Sequence, residues 1–270
     1  MNDQLSELKL GKQQAYPDHY DAGLLQPIPR ALSRSHLNRQ SFYGSDIWTG
    51  YELSWLCPGG KPQVCIAEFS IPANSPNLIE SKSFKYYLNS FNQTEIASKD
   101  ELLKTMERDL SAVAGAPVAI RLYGLEEYRK RAEVAPEAVL LDDIEIQVNG
   151  YQPDANLLRP VDGEFDGIWC SHLLKSNCPV TGQPDWASIW IRWRGRALDQ
   201  AALLQYIVGY RQHQDFHENC VERIYVDLEA AGSPSELWVY ARYTRRGGLD
   251  INPFRSSHPM DAPVWLAPRQ

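Results

Sequence analysis

The chain has 270 residues, and its content of 43% hydrophobic and 23% charged residues is typical of a globular protein with a substantial core. Its formal net charge of −7 argues against a broad nucleic-acid-binding surface, because phosphate binding needs a dominant positive field. The five cysteines are irregularly spaced, and the sequence shows neither a signal peptide nor an apolar run of membrane-spanning length. We therefore expect a cytoplasmic protein with free thiols that contacts neither nucleic acid nor membrane.

The first half of the chain is predicted to form two strands, two helices and two further strands. In chain order these are strands at 47–57 and 63–71, helices at 81–93 and 98–114, and strands at 117–122 and 144–149. The strands follow from alternating apolar residues and the helices from apolar residues at helical spacing. Ser98 and Glu101 form a capping box that opens the second helix. The first forty residues, which are polar and punctuated by proline, are expected to form an arm or a loose terminus.

The second half repeats this layout, which indicates an internal duplication. Its elements are strands at 166–174 and 187–194, helices at 199–213 and 216–230, and a strand at 236–243. In each half a Cys-Pro pair opens the first strand-to-strand loop, at 57–58 and at 178–179. The segment 149–160 contains glycine and proline and is the expected junction. Because each half keeps polar groups that the other lacks, we expect one site shared between the halves or across a dimer. The alternative explanation is that the sequences of the two halves diverged independently.

Cys178 is the candidate nucleophile. It lies in a polar loop shaped by proline and glycine, where catalytic groups concentrate, although buried packing is the alternative role for a free cysteine. A thiol with a pKa of about 8.5 is mostly protonated at pH 7, so it needs a base or a positive neighbour. The candidate neighbours are Lys175, His172 and His217. Asp185 is a candidate proton donor if burial raises its pKa, and otherwise simply begins a strand.

Three further groups of residues are candidates for ligand binding. His217 and Glu218 can present an imidazole and a carboxylate to one ligand, and a carboxylate can accept two N–H bonds from a guanine-like edge. A glutamate is also favoured at a helix start for local reasons alone. Lys82 lies in the first turn of a helix, where a bound phosphate would stabilise the cation and use the free N–H groups, whereas Lys85 is expected on a solvated face. The segment 245–248, two arginines and two glycines, either approaches a phosphate closely or forms a turn with solvated arginines.

Four segments together resemble the NADPH-dependent 7-cyano-7-deazaguanine reductases of queuosine biosynthesis, in their long, two-module form. The segments are 79–87, 175–185, 216–218 and 245–251. The resemblance implies an α+β fold of tandem tunnelling-fold (T-fold) modules, with antiparallel sheets and helices packed on one face. It also implies an N-terminal module over residues 1–155, a C-terminal module over residues 156–270, and a homodimer.

The resemblance assigns roles to individual residues. Cys178 attacks the nitrile carbon of 7-cyano-7-deazaguanine to give a covalent thioimide, Asp185 donates a proton to the nitrile nitrogen, and His217 belongs to the catalytic group. NADPH supplies two hydrides, which convert the nitrile to an aminomethyl group without a metal. The substrate-binding residues are Ile79, Glu80, Ser81, His217 and Glu218. The cofactor-binding residues are Ser81, Lys82, Arg246 and Gly247.

Other classes of protein stay open on the residues alone. A Cys–His hydrolase or amidotransferase could use Cys178 and His217, but it would leave Lys82 and the Arg-Gly-Gly segment without a role. A GTP-cyclohydrolase-like enzyme on the same fold would need zinc, and the scattered histidines and cysteines have no diagnostic zinc spacing. A non-catalytic purine-binding module is the third alternative. No G-x-G-x-x-G sequence follows a strand, so a Rossmann cofactor domain is not indicated.

Overall fold

Ten strands and six α-helices make up the part of the chain described by the computed structural model, residues 16–130, 134–265, 267 and 269. The strands are β1 (Pro27–Pro29), β2 (Tyr43–Leu56), β3 (Pro62–Pro72), β4 (Asn77–Ile79), β5 (Ala119–Tyr123), β6 (Val139–Leu140), β7 (Pro160–Asn177), β8 (Pro184–Leu198), β9 (Glu236–Tyr243) and β10 (Leu249–Ser256). The helices are α1 (Arg30–Arg34), α2 (Ser81–Asn89), α3 (Lys99–Ala114), α4 (Leu125–Lys130), α5 (Gln200–Gly209) and α6 (His217–Gly232).

Eight of these strands form one sheet that runs through both halves of the chain. Its order is β5-β3-β2-β10-β9-β8-β7-β6, and the neighbouring strands pair antiparallel, apart from the parallel pair of β6 and β7. β1 and β4 form a separate antiparallel pair. The halves meet where β10 pairs with β2, from Leu249 opposite Gly50 to Ser256 opposite Tyr43. This pairing makes a single sheet out of two halves.

The four long helices lie on one face of this sheet and cover two apolar cores. α2 and α3 cover the strands of the first half, where the ring centroids of Phe84 and Trp48 are 5.0 Å apart. α5 and α6 share the second core with β7, β8 and β9. The short α4 lies on the opposite face, where Tyr128 packs against Tyr51, whose hydroxyl donates to Asp250. The predicted α+β fold, with antiparallel strands and helices packed on one face, is confirmed.

Most of the predicted elements are confirmed with shifted ends. The four predicted helices form, and the Ser98 hydroxyl caps α3 by accepting a hydrogen bond from the N–H of Glu101 at 3.2 Å. The strand predicted at 144–149 is wrong, because its alternating isoleucines pack against the second core from an irregular segment. β10 is missing from the sequence prediction, since it carries Pro253, a residue that counts against a strand in the middle of a sheet.

The structure bears differently on the predicted N-terminal arm, the predicted division into two modules and the expectation that no segment spans a membrane. Residues 1–15 of the predicted arm lie outside the described residues, and residues 16–40 include β1 and α1. The division into modules at residues 155 and 156 stays a prediction. Within the described ranges, no helix is both long enough and apolar enough to cross a membrane.

Five buried charged side chains join the two halves on the helix side of β2 and β10, and we call them the seam network. They are Arg30, Arg34, Asp46, Glu222 and Arg255, each at most 4% exposed. Asp46 pairs with Arg30 at 2.6 Å and with Arg255 at 2.7 Å, and Glu222 pairs with Arg34 and Arg255, both at 2.7 Å. Burial by itself raises the pKa of the two carboxyls, but the arginines outweigh it and hold both pKa values below the usual range.

Replacing Glu222 by glutamine should lower the free energy of unfolding by about 3–5 kcal/mol, because it leaves buried arginines without their carboxylate. Urea unfolding at pH 7, followed by circular dichroism, measures this change. The matched control is Glu229→Gln on the same helix, whose pair with Arg39 is part-exposed and should contribute at most about 1 kcal/mol. Equal losses in the two variants would contradict a stabilising role for the seam network.

Candidate active site

A cavity of about 230 Å³ opens at the seam between the two halves. The predicted site residues that line it are Ile79, Glu80, Ser81, Lys82, Cys178, Asp185, His217, Glu218 and Arg246. Gly247 lines a neighbouring groove instead. Residues that are far apart in the sequence therefore meet in one place, and both halves of the chain supply its wall.

The loop after β7 holds Cys178 at the cavity wall. The N–H of Cys178 donates to the carbonyl of Gln183, and the N–H of Gly182 donates to the carbonyl of Cys178, both at 2.9 Å. Gly182 has a φ of +68°, a conformation that residues with a Cβ rarely adopt. The two hydrogen bonds and the glycine close a tight turn, which presents the part-buried thiol beside the start of β8.

The surroundings of Cys178 favour the thiolate. Burial raises the pKa of the thiol, but hydrogen bonds from the hydroxyl and N–H of Thr181, from the N–H of Val180 and from Arg246 outweigh it and leave the pKa below its usual value. Cys65 shows the opposite outcome, since burial raises its pKa to about 11. Because the thiolate is the nucleophilic form, Cys178 is equipped to attack an electrophile at neutral pH.

Asp185, the predicted proton donor, is buried between a cation and an imidazole. It is 4% exposed, its Oδ1 lies 2.9 Å from Arg246 Nε, and its Oδ2 lies 3.2 Å from His217 Nε2. His217 stacks on Tyr243, with ring centroids 3.9 Å apart. The Nδ1 of His217 is buried and has no hydrogen-bond partner in the described part of the chain, so it is available to a ligand. His217 and Asp185 can exchange a proton at the cavity wall.

Two of the neighbours predicted for Cys178 are engaged elsewhere. The ammonium of Lys175 donates to the side-chain carbonyl of Asn177 at 2.6 Å. The Nδ1 of His172 lies 2.8 Å from a serine hydroxyl of β8. The cation that donates a hydrogen bond to the thiol is instead Arg246, which the sequence placed in a phosphate-binding segment. That contact requires the turn after β9 to fold back over the turn after β7, and no local sequence pattern indicates it.

Glu80 caps α2, which changes the prediction for the start of this helix. Its carboxylate accepts hydrogen bonds from the N–H of Lys82 at 2.9 Å and from the N–H of Ser83 at 2.6 Å. The expectation that these N–H groups are free to bind a phosphate is therefore wrong. The side chain of Lys82 is exposed and can still reach a phosphate, and the carboxylate of Glu80 keeps lone pairs for a ligand in the cavity.

Glu218 lies in the first turn of α6 and is 3% exposed. Burial and the charge of Asp46 raise its pKa to about 8, against the opposing effects of its own N–H group and of Arg30 and Arg255. At neutral pH its carboxyl is therefore mainly protonated. A ligand that brings N–H donors would favour the carboxylate instead.

Lys85 connects the cavity to the neighbouring groove. It lines both of them, and the groove is also lined by Gly247 and Gly248. Burial and the charge of Arg246 lower the pKa of Lys85. The expectation of a solvated face for Lys85 is wrong, and the spacing of three residues from Lys82 could have indicated that the two side chains are neighbours on one helix surface.

Comparisons with known proteins match this chain along nearly its whole length. A family model described as Nitrile reductase, 7-cyano-7-deazaguanine-reductase N-term matches residues 16–122, and one described as QueF-like protein matches residues 184–261. The NADPH-dependent 7-cyano-7-deazaguanine reductase of Bordetella parapertussis is 51% identical over 264 residues, which cover 96% of this chain and 97% of that protein. The chain belongs to this reductase family.

Further members of the 7-cyano-7-deazaguanine reductase family are equally similar. The reductase of Saccharophagus degradans is 50% identical over 270 residues and covers 98% of this chain and 100% of that protein. The reductase of Dechloromonas aromatica is 52% identical over 259 residues and covers 94% of this chain and 92% of that protein. Among solved structures, the apo form of the archaeosine synthase QueF-Like is 17% identical, with a TM-score of 0.30 over 37% of this chain and 92% of that chain. The identities to the reductases confirm the resemblance carried by the four sequence segments.

In this member of the reductase family, Thr181→Val should raise the pKa of Cys178, because it removes the hydroxyl that stabilises the thiolate. The smaller thiolate fraction should slow alkylation by iodoacetamide at pH 7 roughly three- to tenfold. Peptide mass spectrometry of the alkylated residue measures the rate, with Cys178→Ala as the blank. The matched control is Val180→Ala, whose side chain is 76% exposed and whose N–H is kept. A Thr181→Val variant that reacts as fast as the control would exclude this role for the hydroxyl.

Proposed function

We propose that this chain reduces the nitrile of 7-cyano-7-deazaguanine to the aminomethyl group of 7-aminomethyl-7-deazaguanine, with NADPH as the reductant, as a step in queuosine biosynthesis. The observation that carries the proposal is the convergence, in one cavity, of a cysteine of lowered pKa, a buried acid and two carboxyl groups suited to a guanine-like edge. The names of the relatives specify the same substrate and reductant.

The cavity suits a flat, polar-edged base. Glu80 and Glu218 offer carboxyl groups, and an ionised carboxylate pairs well with two adjacent N–H donors of a guanine-like ring. Trp48, Ile79 and Ile251 line the same cavity and offer apolar surface to the faces of the base. We therefore assign substrate binding to both carboxyl groups and the apolar wall.

The chemical step begins at Cys178. Its thiolate adds to the nitrile carbon, so that a C–S bond forms while one π bond of the nitrile breaks towards nitrogen. Asp185 gives that nitrogen a proton, which completes a covalent thioimide, and His217 lies close enough to return a proton to Asp185. Arg246 contacts Asp185 and stabilises the thiolate, so it keeps the acid and the nucleophile together. The thioimide is a better hydride acceptor than the nitrile.

NADPH fits the donor set beside the cavity. Lys82, Lys85 and Arg246 provide cations for its phosphates, Ser81 provides a hydroxyl, and Gly247 leaves the backbone open to close approach. When bound, NADPH supplies one hydride to the thioimide carbon and a second to the imine that is left once the thiol departs. Lys82, Lys85 and Arg246 would hold the reductant beside the cavity that contains Cys178, and the cavity wall would shield the imine from water.

The geometry favours this reaction over Cys–His hydrolysis. His217 presents Nε2 to Asp185 at 3.2 Å. The groups that lower the pKa of Cys178 are Thr181, Val180 and Arg246 rather than an imidazole. Lys82 and Lys85, which line the cavity, would also have no role in a hydrolase.

We further propose that the enzyme is a cytoplasmic homodimer. β5 and β6 are the edge strands of the sheet, and an edge strand is a position at which a second copy can add a strand. The five cysteines are free, which suits a reducing compartment. Light scattering of the purified chain should give twice its mass of 30.7 kDa, and a monomer mass at working concentration would contradict the dimer.

The purified chain, mixed with 7-cyano-7-deazaguanine and NADPH, should oxidise two NADPH per product, because a nitrile takes up four electrons to become an amine. Absorbance at the nicotinamide band, with chromatography of the product, measures this ratio. Without NADPH, the intact mass should rise by the mass of one base, and Cys178→Ala should show neither turnover nor adduct. Asp185→Asn should lose about a hundredfold or more in turnover, since it removes the proton donor.

Two outcomes would count against the proposed function. Folded protein that neither oxidises NADPH nor forms the adduct would overturn it. Full turnover in Cys178→Ala would overturn the covalent route.

A further inference from the structure

The seam network carries one more positive than negative charge. Its three arginines face two carboxylates, Asp46 and Glu222, and all five side chains are at most 4% exposed. The Nη1 of Arg30 is buried and donates no hydrogen bond to any described residue. It lies 3.7 Å from Oε1 of Glu222, which is too far for a hydrogen bond. A surplus charge with an unused donor is costly in a protein interior unless a further anion offsets it.

The seam network adjoins the wall of the active-site cavity along the chain. Four of the five network residues lie two or four positions from a cavity residue, in the pairs Arg30 and Ile28, Asp46 and Trp48, Arg255 and Ile251, and Glu222 and Glu218. Glu222 and Glu218 are one helical turn apart, so they share a face of α6. Glu218 therefore lines the cavity and also lies within range of the charges of Asp46, Arg30 and Arg255.

We propose that the seam network positions and charges Glu218: the surplus positive charge stabilises the Glu218 carboxylate when a guanine-like edge binds, and Glu218 gives up its proton as the base enters. This inference rests on the proposed function, because it assumes a base with N–H donors in the cavity. Arg30 and Arg255 are positioning residues in this account, since they act through Glu218.

The physical reason is a balance between burial and charge. In the empty cavity burial and the charge of Asp46 outweigh Arg30 and Arg255 and raise the pKa of Glu218 to about 8, so the neutral acid prevails at pH 7. A base that donates two N–H bonds stabilises only the ionised form, so binding below pH 8 must release a proton. The affinity should therefore rise about tenfold from pH 6 to pH 7 and level off above pH 8.

Other charged groups also surround Glu218, and any test has to distinguish their effects on binding from the effect of Glu218. They are Arg30 on α1, Asp46 on β2, Arg255 on β10, His217 and Glu222 on α6, and, on the same cavity wall, Glu80, Lys85, Asp185 and Arg246. The imidazole of His217 lies on the same wall and can also bind or release a proton, so proton release alone does not identify Glu218. A Glu218→Gln variant makes this distinction.

Titration calorimetry of 7-cyano-7-deazaguanine into Cys178→Ala tests proton release without the covalent step and without the thiol's own titration. Measurements at pH 7 in two buffers of different ionisation enthalpy should give the release of most of one proton per site, as expected for a group whose pKa lies above 7. In Cys178→Ala with Glu218→Gln, the release should vanish. Binding with no proton release, or with the same release in the Gln variant, would overturn the proposal.

A double-mutant cycle tests whether Arg30 acts on base binding through Glu218. In the Cys178→Ala background, Arg30→Gln should weaken binding of the base about tenfold, and Arg30→Lys should restore most of the affinity because it keeps the charge. In the background that also carries Glu218→Gln, Arg30→Gln should have no further effect. A purely structural role predicts equal weakening in both backgrounds, which would overturn the proposal.

The two proposals fail in different ways. If the base does not bind and wild-type protein has no turnover, the proposed function itself is wrong. If the base binds and is reduced but the cycle shows no coupling between Arg30 and Glu218, the role of the seam network alone is wrong.

Discussion

The antiparallel pairing of β10 with β2 is the constraint on which the rest of the molecule depends. The two strands come from different halves of the chain, and their register sets Ile251 opposite Trp48 at the cavity wall. The same register turns Asp46 and Arg255 to the helix side, where they form an ion pair at 2.7 Å. A slip of one residue would turn every side chain of β10 to the other face and remove both the wall and the ion pair.

The pKa values of the buried acidic groups around this seam are shifted in opposite directions, although burial raises all of them. Asp46 and Glu222 are buried and have lowered pKa values, because paired arginines outweigh the loss of water. Glu218 is equally buried, but burial dominates and its pKa rises. Cys178 is only part-buried, and hydrogen bonds lower its pKa. The cavity thus presents a nucleophile that ionises readily and an acid that stays neutral until a ligand offers suitable donors, which matches a base carrying an electrophilic nitrile.

Structural features that depend on neighbouring residues can be predicted from the sequence. Features that depend on contacts between residues far apart in the chain cannot. The cap at Ser98, the polar loop at Cys178 and the helix start at His217 follow from neighbouring residues, and the structure contains each of them. The contact of Arg246 with Asp185 and the seam network depend on side chains that meet only after the sheet has formed. The irregular segment 144–149 shows the reverse error, since an alternating pattern can be satisfied by packing on a core without a strand.

The central claim is that one cavity, built from both halves, binds the base between two carboxyl groups and joins it to Cys178. The most direct measurement is a crystal structure of the wild-type chain incubated with 7-cyano-7-deazaguanine in the absence of NADPH. We expect continuous density from Sγ of Cys178 to the former nitrile carbon, with Glu80 and Glu218 each within hydrogen-bond distance of the polar edge of the base. A base bound outside this cavity, or bound in it with its nitrile turned away from Cys178, would contradict the account.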